Sequence, residues 1–146
     1  MKRFLFSIIF VSSLMFVACQ NPSITQTKKI KINDQIINVE IAETISQMTK
    51  GLGGRQDLKD DQGMLFKYSD KQIRNFHMKD MLFSLDIVWI NDDLIVGLAE
   101  NVPVYTVNGQ ISKVESPLPV NQVLEVPAGW AAKNGVKIGD LVISLD

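Results

Sequence analysis

Cysteine and histidine are nearly missing from this chain of 146 residues, which has one of each, Cys19 and His77. A single Cys excludes an internal disulfide. One His and one Cys leave only carboxylates to complete a zinc set, so no metal site is expected. Charge of one sign is lacking too. Fifteen basic side chains face sixteen acidic ones, with no basic patch, which argues against a nucleic-acid partner. No apolar run reaches the roughly eighteen residues of a membrane-spanning helix. Nucleophile elbow, P-loop, zincin helix, dinucleotide fingerprint and Cys–His pair are all absent, and no cofactor is expected. Apolar residues are plentiful, 46% against 21% charged, enough for one packed domain at this length.

The first nineteen residues read as a targeting segment. Lys2 and Arg3 form a positive start, and Phe4 to Val17 is a fourteen-residue apolar run broken only by serines. It ends in Phe16-Val17-Ala18-Cys19. That ending resembles the bacterial lipobox, with Phe16 standing where Leu is usual. The resemblance implies a signal peptide over residues 1–18, cut before Cys19, and a diacylglycerol on the Cys19 thiol. Gln20 to Lys29 is polar and reads as a tether. The expected product is an exported lipoprotein, held by its lipid at the extracytoplasmic face of a bacterial membrane. Removal of 1–18 takes away two bases and no acid, leaving thirteen bases against sixteen acids, a net −3.

From residue 30 to 146 the pattern is that of one mainly β domain. Ile30 and Ile32, then Ile37, Val39 and Ile41, alternate with polar residues around an Asn33-Asp34 turn, a first hairpin. Thr44 and Gln47 fit a capping box, and Gly51 fits the following C-terminal cap. Further strands are expected at Gly63–Lys67, Arg74–Lys79, Leu85–Ile90, Leu94–Leu98, Val123–Val126 and Leu141–Leu145, with a turn at Ser69–Gln72. Asn108-Gly109 suggests a tight type I′ hairpin between Tyr105 and Ser112. A short helix is expected over 128–134. The total is about eight to ten short strands and one or two short helices, with no βαβ alternation. A compact sandwich- or barrel-like fold follows.

Several blocks, in order, carry a resemblance to a known family. They are Gly63-Met64-Leu65-Phe66, Phe76-His77-Met78-Lys79-Asp80, Leu85-Asp86-Ile87, Val123-Leu124-Glu125-Val126-Pro127-Ala128-Gly129 and Gly135-Val136-Lys137-Ile138-Gly139-Asp140. Together they resemble the DUF192 (UPF0127) family over roughly residues 30–145. The resemblance implies a mainly β domain, often exported, and no particular activity. Relatives usually carry Trp-Met-Lys where this chain has His77-Met78-Lys79, and Pro where it has Ser84.

Three charges are set among apolar strand residues: Lys79, Asp86 and Glu125. A buried charge must be paired or hydrogen-bonded. One reading gathers them in a cleft, with Lys79 on an anionic group and Asp86 or Glu125 as base or acceptor. The other has Asp86 and Glu125 tying down backbone amides. On a strand His77 and Lys79 share a face, while Met78 points to the core. Binding candidates are therefore Lys79, Asp86 and His77, with Trp130 as an exposed aromatic and Trp89 as core. His77 with the nearby methionines suggests soft copper chemistry, but adjacent strand residues diverge and Met fills cores. The expected function is a non-enzymatic binding or accessory module for an unidentified envelope ligand or protein. The competing expectation is an envelope hydrolase built on Lys79, Asp86 and Glu125.

Overall fold

The computed structural model describes residues 26–145. The targeting segment, Cys19 and the tether as far as residue 25 lie outside the described residues.

Nine strands and two short helices fold as one mainly β domain. β1 (Thr27–Ile32) and β2 (Gln35–Ala42) form the expected first hairpin, with Asn33 at φ 53° in the turn. Residues 27–29, expected in the tether, are already strand and pair with Glu40, Val39 and Asn38. Helix α1 (Ile45–Lys50) begins at the expected capping box. Gln47 N–H donates to Thr44 Oγ1 at 3.2 Å, and Thr44 N–H donates to Gln47 Oε1 at 3.0 Å. Then come β3 (Gln62–Gln72), β4 (Asn75–His77), β5 (Leu85–Asn91), β6 (Leu94–Val102), β7 (Lys113–Glu115), β8 (Val120–Pro127), α2 (Trp130–Lys133) and β9 (Val142–Ser144).

Seven strands make one sheet in the order β6-β5-β8-β3-β2-β1-β9, and β4 pairs with β7 in a separate ribbon. The large sheet curls into a half-barrel until its two edges touch. Leu94 bridges Leu141, and Val142 N–H donates to the Asp93 carbonyl at 2.8 Å. Inside the curl lies a core of alternate residues from each strand, among them Ile37, Val39, Leu65, Val88, Ile90 and Leu124, with Trp130 of α2.

The outer face of β3, β5 and β8 is covered as well. Met64, Phe66, Ile87, Trp89 and Val123 pack under a lid made of residues 48–58 and the β4–β7 ribbon. Phe76 on the ribbon stacks edge-on against Phe66 at 5.0 Å and Trp89 at 5.5 Å between ring centroids. Six consecutive residues of β5, Leu85–Ile90, are therefore buried, as a run that is apolar but for Asp86 suggests.

Four expectations are corrected. β2 and β3 run parallel, joined through α1, so one crossover connection exists where none was expected. Six residues with no buried side chain give α1 no apolar stripe by which to announce itself. Ser69–Gln72 is not a turn but the end of the long strand β3. The Arg74–Lys79 strand shrinks to three residues because Asp80 takes φ 61° and the chain turns. The hairpin at Asn108-Gly109 is one isolated bridge, Tyr105 to Ile111. Only Gly109 takes a positive φ there, and a type I′ turn needs two.

Candidate functional site

Register places the site. Glu40 on β2 pairs with Met64 on β3, Met64 with Glu125 on β8, and Glu125 with Ile87 on β5. Cα partners share a face, so this row lies on the outer side of the sheet, beneath the lid. Glu40 and Glu125 are two strands apart, about 10 Å between backbones. Glu40 lies toward the surface and is held by Arg55, whose two terminal nitrogens reach its two oxygens at 2.5 and 2.8 Å. This forked pair holds the Glu40 carboxyl below its usual range and the Arg55 guanidinium above its own.

Glu125 has no such clasp. Its residue is 6% exposed, and its Oε2 has no hydrogen-bond partner. Loss of water pushes its pKa up to about 8, against a smaller opposing pull from Arg55, which is already engaged with Glu40. At neutral pH the carboxyl is therefore mostly the uncharged acid. A lone buried polar atom costs roughly 1–3 kcal/mol if nothing meets it.

Something has room to meet it. Glu125 lines a cleft of about 100 Å³ between the sheet and the lid. Phe66, Tyr68 and Phe76 supply aromatic walls, and Lys50, His77 and Lys79 stand at the rim, all three exposed. A neighbouring groove shares Lys50, His77 and Lys79 and adds Asp80. The Lys79 N–H donates to His77 Nδ1 at 3.4 Å, which leaves Nε2 as the ring nitrogen open to a ligand. Within the lid, the 48–58 segment is pinned to the turn after β4 by the Gly54 N–H, which donates to the Asp80 carbonyl at 2.8 Å. A Cβ on Gly53 would stand 3.0 Å from the Lys50 carbonyl oxygen, a tight contact that glycine avoids in this turn.

The fold and the blocks of sequence that build this cleft also decide relationship. Residues 27–144 match the model of DUF192, "Uncharacterized ACR". The chain belongs to the DUF192 family. Two crystal structures share its fold. A Sinorhizobium meliloti protein, described as a candidate transcription regulator, is 27% identical with a TM-score of 0.76, covering 85% of this chain and 98% of that one. A Novosphingobium aromaticivorans protein of unknown function is 28% identical with a TM-score of 0.73, covering 81% and 85%. No curated protein matches the chain.

Within this DUF192 domain the residues singled out from sequence divide. Lys79, His77 and Glu125 come together at the cleft. Asp86 does not. It pairs in register with Val126, one step from the Ile87–Glu125 pair, so its side chain enters the opposite, inner face. There it is wholly buried and accepts from the N–H groups of Asn101 at 2.7 Å, Gly129 at 3.0 Å and Ala131 at 2.9 Å. The expected Lys79–Asp86–Glu125 cluster thus does not form. Trp130 is 4% exposed and belongs to the inner core, not to an exposed binding surface. Its backbone starts α2, which Asp86 anchors, and that draws the indole inward. Met78 and Met81 are buried core, and the described residues hold no group of three metal-binding side chains.

Lys50, Tyr68, Phe66 and the Arg55–Glu40 pair were not foreseen. Arg55 left a faint signal, a cation directly after Gly53-Gly54. The others left none, because the parallel crossover brings α1 and β3 into the site.

Proposed function

We propose that this protein is an exported, lipid-anchored DUF192 module that binds a small solute in the cleft over Glu125 and presents it at the membrane rather than transforming it. The observation that carries the reading is Glu125, a buried acid that lines an open cleft and whose Oε2 has no hydrogen-bond partner. A solute that meets it replaces the water it gave up. For the hydrolase reading, Glu125 alone remains of the two acids once assigned to it, since all three contacts of Asp86 are to backbone.

The anchor is supported by Lys2, Arg3, the apolar run and Cys19. Seven residues separate Cys19 from Thr27, the start of β1, so a fully extended tether would keep the domain within about 30 Å of the lipid. Each buried acyl CH₂ contributes roughly 0.8 kcal/mol, and one chain alone binds only marginally, so a diacylglycerol suits stable anchoring. Transcriptional regulation, as described for the Sinorhizobium protein, is not favoured by a mature chain of net −3 with no basic patch.

Two measurements test the parts separately. Cys19→Ser is expected to abolish labelling by a fatty-acid analogue and to release the protein from membranes. Unchanged labelling and association would end the anchor reading. For the cleft, a thermal-shift screen of amines, carboxylates, sugars and cell-wall fragments is expected to return a stabilising solute whose effect Glu125→Gln alters. A screen in which no solute responds to that substitution would end the cleft reading.

A further inference from the structure

The cleft is layered in its chemistry. Its floor holds one acid without a partner, Glu125, and no base. Its walls are the rings of Phe66, Tyr68 and Phe76. Its rim carries two ammonium groups, those of Lys50 and Lys79, both on exposed residues. A group that passes between the rings and reaches the floor meets a carboxyl, whereas one left at the mouth meets cations.

From this layering we infer that the cleft takes a small zwitterion of the amino-acid type, its ammonium inward on Glu125 and its carboxylate outward between Lys50 and Lys79. The inference rests on the cleft reading above and adds the ligand class. Aromatic walls suit the inward cation, as the Arg74 guanidinium 3.8 Å over the Tyr68 ring already illustrates on one of them. An anion driven to the floor would face the same rings and a carboxyl, and would gain little that the rim does not already offer. A free amine would meet the floor but leave the rim lysines unused. About 100 Å³ suits a compact solute of a few heavy atoms and excludes an oligosaccharide from the floor.

Proton linkage then gives the idea a sign. The groups around Glu125 are Arg55 and Lys50 from the lid, Glu40 on β2, Tyr68 on β3, His77 on β4, and Lys79 and Asp80 just after it. In the empty cleft Glu125 is protonated at neutral pH. An ammonium ion entering the floor requires the carboxylate, so binding releases the Glu125 proton to solvent. Affinity should therefore rise with pH, close to tenfold per unit between pH 6 and 7.5, and level off above pH 8. An anion held by the neutral acid would show the reverse, constant affinity below pH 8 and weakening above it.

The test is isothermal titration of the full-length protein, purified in detergent, with glycine, β-alanine and γ-aminobutyrate. Methylamine and acetate serve as single-ended probes, and each titration is run in two buffers of different ionisation enthalpy. The expected result is that one of the zwitterions binds more tightly than methylamine, that acetate does not bind, and that about one proton is released per ligand at pH 7. Glu125→Gln should weaken the zwitterion about 10- to 100-fold at pH 8 and remove the pH dependence. Lys79→Ala should reduce zwitterion affinity and leave methylamine unchanged, a split that general unfolding would not produce. Acetate binding as tightly as a zwitterion, proton uptake in place of release, or an unaffected Glu125→Gln variant would each overturn the ligand class. If these probes all fail while another solute responds to Glu125→Gln, the zwitterion is wrong and the cleft reading survives. If no solute of any class responds, both fall.

Discussion

Asp86 and Glu125 stand on neighbouring strands, one register step apart, and both are shut away from water. The inner-face acid is satisfied. Three backbone N–H groups from the β6 end and the start of α2 point at its two oxygens, and in return it fixes how α2 closes the half-barrel. The outer-face acid is not satisfied. It lies in a cleft with one oxygen unmet and is uncharged at neutral pH for lack of water. Of two buried acids, one thus serves structure, and the other is the one on which the proposed recognition rests. What separates them is the supply of donors on each side of the sheet. The inner side receives a helix start and a loop, rich in free N–H groups. The outer side receives aromatic rings and a lid held by other bonds.

The largest expected effect tests the inner side. Asp86→Ala leaves three N–H groups without their acceptor and should destabilise the fold by about 3–6 kcal/mol, read as a lowered urea midpoint. A loss under 1 kcal/mol would remove the contrast, since Asp86 would then be no more structural than Glu125.

Glu125→Gln should act in the opposite direction. Because the folded-state pKa is raised, the unfolded chain ionises from near pH 4.5 upward while the native carboxyl stays protonated until about pH 8. Native stability supplied at low pH is therefore lost as pH rises through that window, by up to ~1.4 kcal/mol per unit, and levels off above it. The variant should lack this slope and be the more stable protein at pH 8, as denaturation at pH 5, 6.5 and 8 would report. The window is distinct from that of Glu40, whose lowered pKa places its contribution above its unfolded value and its loss at lower pH.

A smaller effect probes what keeps Glu125 from being more perturbed still. Arg55 is the one cation pulling its pKa down. Arg55→Met should raise the Glu125 pKa further, visible as a later titration of its Cδ resonance by NMR. A downward movement would mean that Arg55 acts on Glu125 chiefly by excluding water. The smallest expected effect is that of Lys79→Ala. The side chain is exposed at the rim, and stability should change by no more than about 0.5 kcal/mol.

Much of this was legible in the chain itself. The alternation at Ile37-Val39-Ile41 and the nearly continuous apolar run Leu85–Ile90 announced strands buried on one face and on two, because side-chain period and burial are local consequences of the extended backbone. Thr44 and Gln47 announced the start of α1, because a capping box is made by residues three apart. Glu125 announced itself as an acid within Val123-Leu124-Glu125-Val126. The Asn108-Gly109 signal misled, since turn chemistry alone does not hold a hairpin whose Tyr105 and Val107 are exposed. The parallel pairing of β2 with β3 was invisible, because its helix is too short and too exposed to carry a period.

The amino-acid sequence by itself therefore determined the family, the mainly β architecture, and that the acids Asp86 and Glu125, set among apolar strand residues, would need partners, whereas Lys79, set among apolar residues too, ends exposed at the rim. Those properties depend on residue type and on spacing over a few positions. Tertiary structure alone decided which acid found its partners. Asp86 and Glu125 differ in strand parity relative to the curl of the sheet, and what faces each side is supplied by segments far away in the chain. Asn101, Gly129 and Ala131 come to one, and Phe66, Tyr68, Phe76 and the lid to the other. Donor supply at a buried oxygen is a non-local quantity, and it is what separates a structural acid from one left open to a ligand.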